Sequence, residues 1–238
     1  MTALVRAALA FGIVALLSGV APAPSNPNLR SIGIIAALGD TCMFERIPNT
    51  PLEWIAPPMA RFLEISDWGI DDEIARAITA RLRPHYRVQP IAVEHQDFDS
   101  WTYDSLARNI RELAIPERPV DAYLLVLRDW RHDSIGNTNH QLGGLGLYRR
   151  DPHGGRSRYA VFAAYRLVLL DPDSGVVIVS RPALATGGRL PWIPASPSLW
   201  PHDWSNPDDR QRSRLRADLI SLIDATLPDT LKQIGFVF

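Results

Sequence analysis

Residues Gly144–Ser180 read GLGLYRRDPHGGRSRYAVFAAYRLVLLDPDSGVVIVS. Side-chain character alternates here with a period of two, which predicts strands over Leu145–Arg149, Tyr159–Leu170 and Val176–Ser180. The links Asp151-Pro152-His153-Gly154-Gly155 and Asp171-Pro172-Asp173-Ser174-Gly175 put proline early and glycine late, as turns require. Asp171, Asp173 and Ser174 also resemble a fragment of a calcium loop, but a hairpin turn accounts for them better. Three strands joined this way form an antiparallel meander.

Upstream, SIGIIAAL (Ser31–Leu38) and AYLLVL (Ala122–Leu127) are short, continuous apolar runs bounded by turn residues, the pattern of buried strands. Cys42–Ile47 and Arg61–Ile65 read as further short strands, and Tyr86–Val93 alternates. A helix follows Trp68-Gly69, because Ile70, Ile74, Ile78 and Leu82 recur at helical spacing. Asp71, Asp72 and Glu73 occupy its first turn, where the helix dipole favours negative charge. A second helix is expected over Thr102–Leu113, with Asp99 or Ser100 as its cap. A last one is expected after Asn206, with Asn206 as cap, Pro207 at the first helical position and a kink or end at Pro228. The expected fold class is therefore α+β (α/β): a single domain over 31–238, with about three helices on a mixed, largely antiparallel sheet.

At 238 residues with 46% hydrophobic and 21% charged residues, the chain has the material for one sizeable core. A net charge of −1 gives no global field to attract nucleic acid or an anionic membrane. The single cysteine, Cys42, forms no internal disulfide and has no zinc-type spacing around it; it reads as a small buried hydrophobe.

Residues 1–23 have the form of a signal peptide: Arg6 is followed by an apolar run from Ala7 to Val20 and then Ala21-Pro22-Ala23. Residues 24–30 form a proline-rich linker. The run is short for a membrane span. Export to the periplasm or medium with cleavage is expected, and the alternative is an inner-membrane anchor over residues 7–20. Only that alternative gives a membrane contact.

There is no phosphate loop, no GxSxG elbow and no HExxH. Two polar or aromatic segments remain. After Leu127 come Asp129, His132, Asp133 and His140, which could act as acid and base or as metal ligands, or be no more than a polar hairpin loop. Thr186–Ser205 carries Trp192, Trp200, His202 and Trp204 among four prolines. Loops of about this length with no secondary structure of their own are uncommon in a compact domain. The tryptophans either grip a partner or fold back to cap the sheet. No metal and no cofactor is indicated.

The segments SIGIIAALGD, SDWGIDDEIARAITARL, DAYLLVL, GGLGLY and VLLDPDSGVVI resemble uncharacterised exported proteins of alphaproteobacteria and betaproteobacteria. In layout the chain is also similar to the envelope domain of the curli secretion lipoprotein and to the amino-terminal domain of the Tol-system β-propeller protein. That resemblance covers most of residues 31–180 and implies an assembly or scaffold part, with no catalytic residue to carry over. Leu17-Ser18-Gly19 looks like the start of a lipoprotein box, but Val20 stands where the lipidated cysteine belongs.

The functional expectation is an exported cell-envelope protein, a non-enzymatic binding or assembly module whose partner is another envelope protein or a second copy. The alternative is a periplasmic hydrolase or metal-dependent enzyme built on the 128–143 loop.

Overall fold

The computed structural model describes residues 29–47, 59–92, 119–151, 155–201 and 207–238. The expected signal segment, most of the linker, the helix over Thr102–Leu113, His202, Trp204 and Asn206 all lie outside these residues.

Ten described strands build one mixed sheet: β1 (Ser31–Ala37), β2 (Thr41–Ile47), β3 (Met59–Glu64), β4 (Arg87–Pro90), β5 (Ala122–Arg128), β6 (Trp130–His132), β7 (Gln141–Arg150), β8 (Arg158–Leu170), β9 (Val177–Pro182) and β10 (Trp192–Pro194). The spatial order is β3-β2-β7-β8-β5-β1-β4, with β6 on β7 and both β9 and β10 on β8. β1 runs parallel to β4 and β5, and β2 parallel to β7; every other described pairing is antiparallel. The expected meander is β7-β8-β9. β6 and β10 are strands beyond those the sequence pattern predicts, and β4 is shorter than Tyr86–Val93.

β8 organises the sheet. Its first half pairs with β7 on one side and β10 on the other. Its second half pairs with β5 and β9. Thirteen residues suffice for four neighbours because YAVFAAYRLVLL is apolar and β-prone on both faces.

Two α-helices are described, α1 (Ile70–Leu82) and α2 (Asp209–Ile234), and both cover the same face of the sheet. Ile74, Ile78 and Leu82 of α1 and Leu219, Ile223 and Leu227 of α2 meet Ile34, Leu124, Leu147, Val161 and Leu167 in the main core. The acidic start of α1 does more than meet a dipole. The Asp71 carboxylate accepts from the Leu38 and Gly39 amides at 2.9 and 3.0 Å, tying the end of β1 to the helix. Arg216 then joins the helices, donating to the Trp68 carbonyl at 2.5 Å and pairing with Glu73 at 3.2 Å.

The start of α2 differs from expectation. Asp208 is the cap: its carboxylate accepts from the Gln211 amide at 2.8 Å, and the Gln211 side chain accepts from the Asp208 amide at 3.1 Å. This reciprocal box satisfies two otherwise orphaned amides. Pro228 does not end the helix, which runs on to Ile234 and closes at Gly235 with φ 105°. Burial of Leu227, Leu231 and Ile234 in the main core outweighs the one lost backbone bond. Among the described residues no helix is long and apolar enough to cross a membrane.

The opposite face of the sheet holds two smaller clusters. In one of them the row Phe62–Met43–Gly146–Phe162–Trp192 crosses β3, β2, β7, β8 and β10 in register. Gly146 is required there, since a Cβ would overlap the Phe162 ring and come within 2.5 Å of the Met43 carbonyl. Gly146→Ala is expected to lower unfolding stability by about 1–3 kcal/mol through overpacking, measured by urea denaturation.

Candidate functional site

The 128–143 region folds as a tight cover on the sheet face opposite the helices. β6 returns against the start of β7, pairing His132 with Gln141 and Trp130 with Gly143. Asp129 is buried at the bend between β5 and β6, where one carboxylate oxygen takes the Arg166 guanidinium at 2.8 and 3.2 Å. Arg131 lies 3.9 Å from the other oxygen. Asp133 is also buried, and its carboxylate accepts four hydrogen bonds. One oxygen takes the Ile135 and Gly136 amides at 2.9 and 2.8 Å; the other takes the Thr138 hydroxyl at 2.7 Å and the Tyr148 hydroxyl at 3.0 Å. Asp133 is thus occupied in holding backbone and neighbouring side chains, whereas the Asp129 carboxylate accepts only from Arg166 and its second oxygen is buried with no hydrogen-bond partner among the described residues. His132 is exposed and His140 half-buried. The described residues contain no group of three or more potential metal-ligating side chains.

The residue missing from the sequence reading is Glu45 on β2. It is fully buried, and neither carboxylate oxygen has a hydrogen-bond partner among the described residues. Its cross-strand neighbour on β7 is Tyr148, whose hydroxyl donates to Asp133. Burial, and then the negative charge of Asp133, push the Glu45 carboxyl from the usual value near 4.5 up to about 7. Burial also raises Tyr148, which therefore stays a neutral donor. One signal was in the sequence: in TCMFERI, Glu45 shares a strand face with Met43 and Ile47, where an apolar residue belongs. Cys42 is the buried hydrophobe expected, its thiol pushed up to about 12 by burial and so held protonated.

The 186–205 segment is largely ordered along β8. Ile193 of β10 packs into the main core, so its neighbour Trp192 faces the other side of the sheet, in register with Phe162 and 39% exposed. Trp200 packs on the helix side. Its ring meets Phe44 and Tyr159 edge-on at 6.2 Å, and the Arg149 guanidinium lies 5.7 Å from its centroid. The two described tryptophans of this segment therefore lie on opposite faces and form no continuous patch. Trp200 has the placement of a cap on the core.

The same segment builds a second feature. Between residues 193–199 and the first half of α2 runs an open groove of about 1050 Å³. Ile193, Leu199 and Ala217 supply its apolar surface, and Ser213, Arg214 and Asp218 are among its polar groups. The wall is fixed to the helix because the Gln211 side-chain amide donates to the Ser198 carbonyl at 2.9 Å.

No family model matches the chain, and no curated protein matches it. Partial likenesses exist to three solved structures. A Xanthomonas campestris protein of the DUF330 family is 11% identical, over 87% of this chain and 84% of that one, with a TM-score of 0.34. A neuraminyllactose-binding hemagglutinin homolog from Helicobacter pylori is 10% identical over 88% and 84%, with a TM-score of 0.37. A lipoprotein from Neisseria meningitidis is 11% identical over 82% and 99%, with a TM-score of 0.30. At such scores these likenesses carry no argument for this chain. The resemblance to the curli and Tol domains rests on sequence layout alone.

Two outcomes are expected from these contacts. Trp200→Ala costs about 2 kcal/mol of unfolding stability, less than a fully buried tryptophan would, while Trp192→Ala costs under about 1 kcal/mol in the same denaturant titration. Glu45 binds its proton more tightly folded than unfolded, so its contribution is full below about pH 4.5 and is lost as pH rises through about 7. Unfolding free energy should therefore fall by about 2–3 kcal/mol across that window, and Glu45→Gln should remove that part of the pH dependence.

Proposed function

We propose that this protein is a cell-envelope binding module, without catalytic chemistry of its own, that grips an extended segment of another envelope polypeptide in the groove between residues 193–199 and α2. The groove itself carries the reading: it is open, of peptide-binding size and walled by pinned elements. Its lining mixes apolar side chains with serines and both signs of charge, which suits a polypeptide better than a single anion or cation. The basic and apolar start of the sequence, Met1 to Val20, supports placing the activity outside the cytoplasm. The sequence-level resemblance to envelope assembly domains points the same way.

The test is a photo-crosslinking amino acid at Ser213 in intact cells, followed by mass spectrometry, with and without Ala217→Trp to fill the groove. One reproducible envelope partner is expected, lost in the Ala217→Trp protein while its melting temperature is unchanged. A crosslink to a second copy would reassign the occupant. Folded, exported protein that captures nothing, or a crosslink indifferent to Ala217→Trp, would overturn the groove reading.

A further inference from the structure

Glu45 is a carboxyl group sealed into an apolar face, 0% exposed, with no hydrogen-bond partner for either oxygen among the described residues. Water does not reach it, and ionised it would be a bare buried charge. Its surroundings hold a second carboxylate. Among the described residues, the titratable and charged groups around it are Asp133 of the covering loop, with Tyr148 and Arg150 of β7. The neighbours in its own cross-strand row on β3 and β8 are Ala60 and Ala160.

Four hydrogen bonds converge on the Asp133 carboxylate, and those bonds fold residues 133–138 down on the sheet. Gly136 lies against the Tyr148 hydroxyl, where a Cβ would clash, and its carbonyl accepts from Arg150. Ile135 then packs with Met43, Ile47, Tyr148 and Phe162. The loop therefore stays closed while one carboxylate sits there, and two at this depth repel each other strongly.

We propose that the proton on Glu45 latches the 133–140 loop over the sheet, and that losing it to solvent releases the loop. Ionised Glu45 acts against Asp133, the loop's anchor, and draws water to itself. Both effects favour a state in which Ile135 has left the Met43–Phe162 surface. The exposed Phe62 and Trp192 flank that surface, so release extends an existing apolar margin. The main core lies on the other face, under α1 and α2, and remains closed.

Site-resolved amide hydrogen exchange on the full chain at pH 6 and pH 8, each rate corrected for base catalysis, tests this. Protection of the Ile135 and Gly136 amides, which donate to Asp133, should fall about tenfold between the two pH values and at both should lie well below that of Ile34 and Leu124 in the main core, the mark of a local opening. In Glu45→Gln the loop amides should be equally protected at both. Loop protection in the native protein that ignores pH would overturn the latch. So would loop amides whose opening free energy equals that of Ile34 and Leu124 at both pH values, since that is exchange through global unfolding, or a Glu45→Gln protein that behaves like the native one. If Glu45→Gln does not fold, the comparison of loop and core amides in the native protein still decides.

Discussion

β8 has to bond four strands at once, and the rest of the architecture depends on that constraint. A strand of average length offers two edges to two neighbours. Here the first half of β8 takes β7 and β10 and the second half takes β5 and β9. Both faces of β8 are also interior, one in the main core and the other in the two smaller clusters, which is why Ala160 through Leu170 contains only Arg166 as a charged residue. Arg166 is in turn placed where it meets the buried Asp129 at the bend that leads from β5 into β6. The 128–143 loop and the 186–205 segment are two consequences of one strand, since β6–β7 and β10 are built along its first half.

The two faces of the sheet are stabilised differently. On the helix side, apolar packing dominates, supplemented by a few polar ties such as Asp71 to the end of β1, Arg216 to Glu73 and the Tyr165 hydroxyl to Thr226 at 2.9 Å. On the other side, a loop without regular structure has to be held down, and polar groups do it. Asp133 satisfies the backbone of the loop, and the cost is a carboxylate beside a second buried acid. A protein needing only stability would be better served by leucine at position 45. The polar solution makes this cover responsive to protons, whereas among the described residues the helix-covered core has no comparable group.

The tryptophans separate along the same division. Trp200 closes the helix-side core against Phe44 and Tyr159, and Trp192 lies on the face of Phe162. The groove that the segment forms with α2 owes its shape to serines, Leu199 and the helix surface, so the aromatic residues anchor the segment and the smaller ones face the opening.

Much of the fold was legible in the sequence because it rests on local periodicity. The alternation over Gly144–Ser180, the apolar runs SIGIIAA and AYLLVL and the helical spacing of Ile70, Ile74, Ile78 and Leu82 each fix an element without reference to the rest of the chain. The turn at Asp171 was equally local: its carboxylate accepts from the Ser174 amide at 2.7 Å. Other features needed the tertiary structure. Pro228 reads as a helix end from its missing donor, yet the core that Leu231 and Ile234 enter carries the helix past it. Trp192 and Trp200 look like one patch in sequence, but a strand's alternation and the turn that follows it send them to opposite faces. Glu45 in TCMFERI shows only an acid at an inward position. That Asp133, nearly ninety residues later, lies close enough to bias its proton was settled by long-range pairing, because parallel β2–β7 registry brings Tyr148 beside Glu45 and so brings the loop with it.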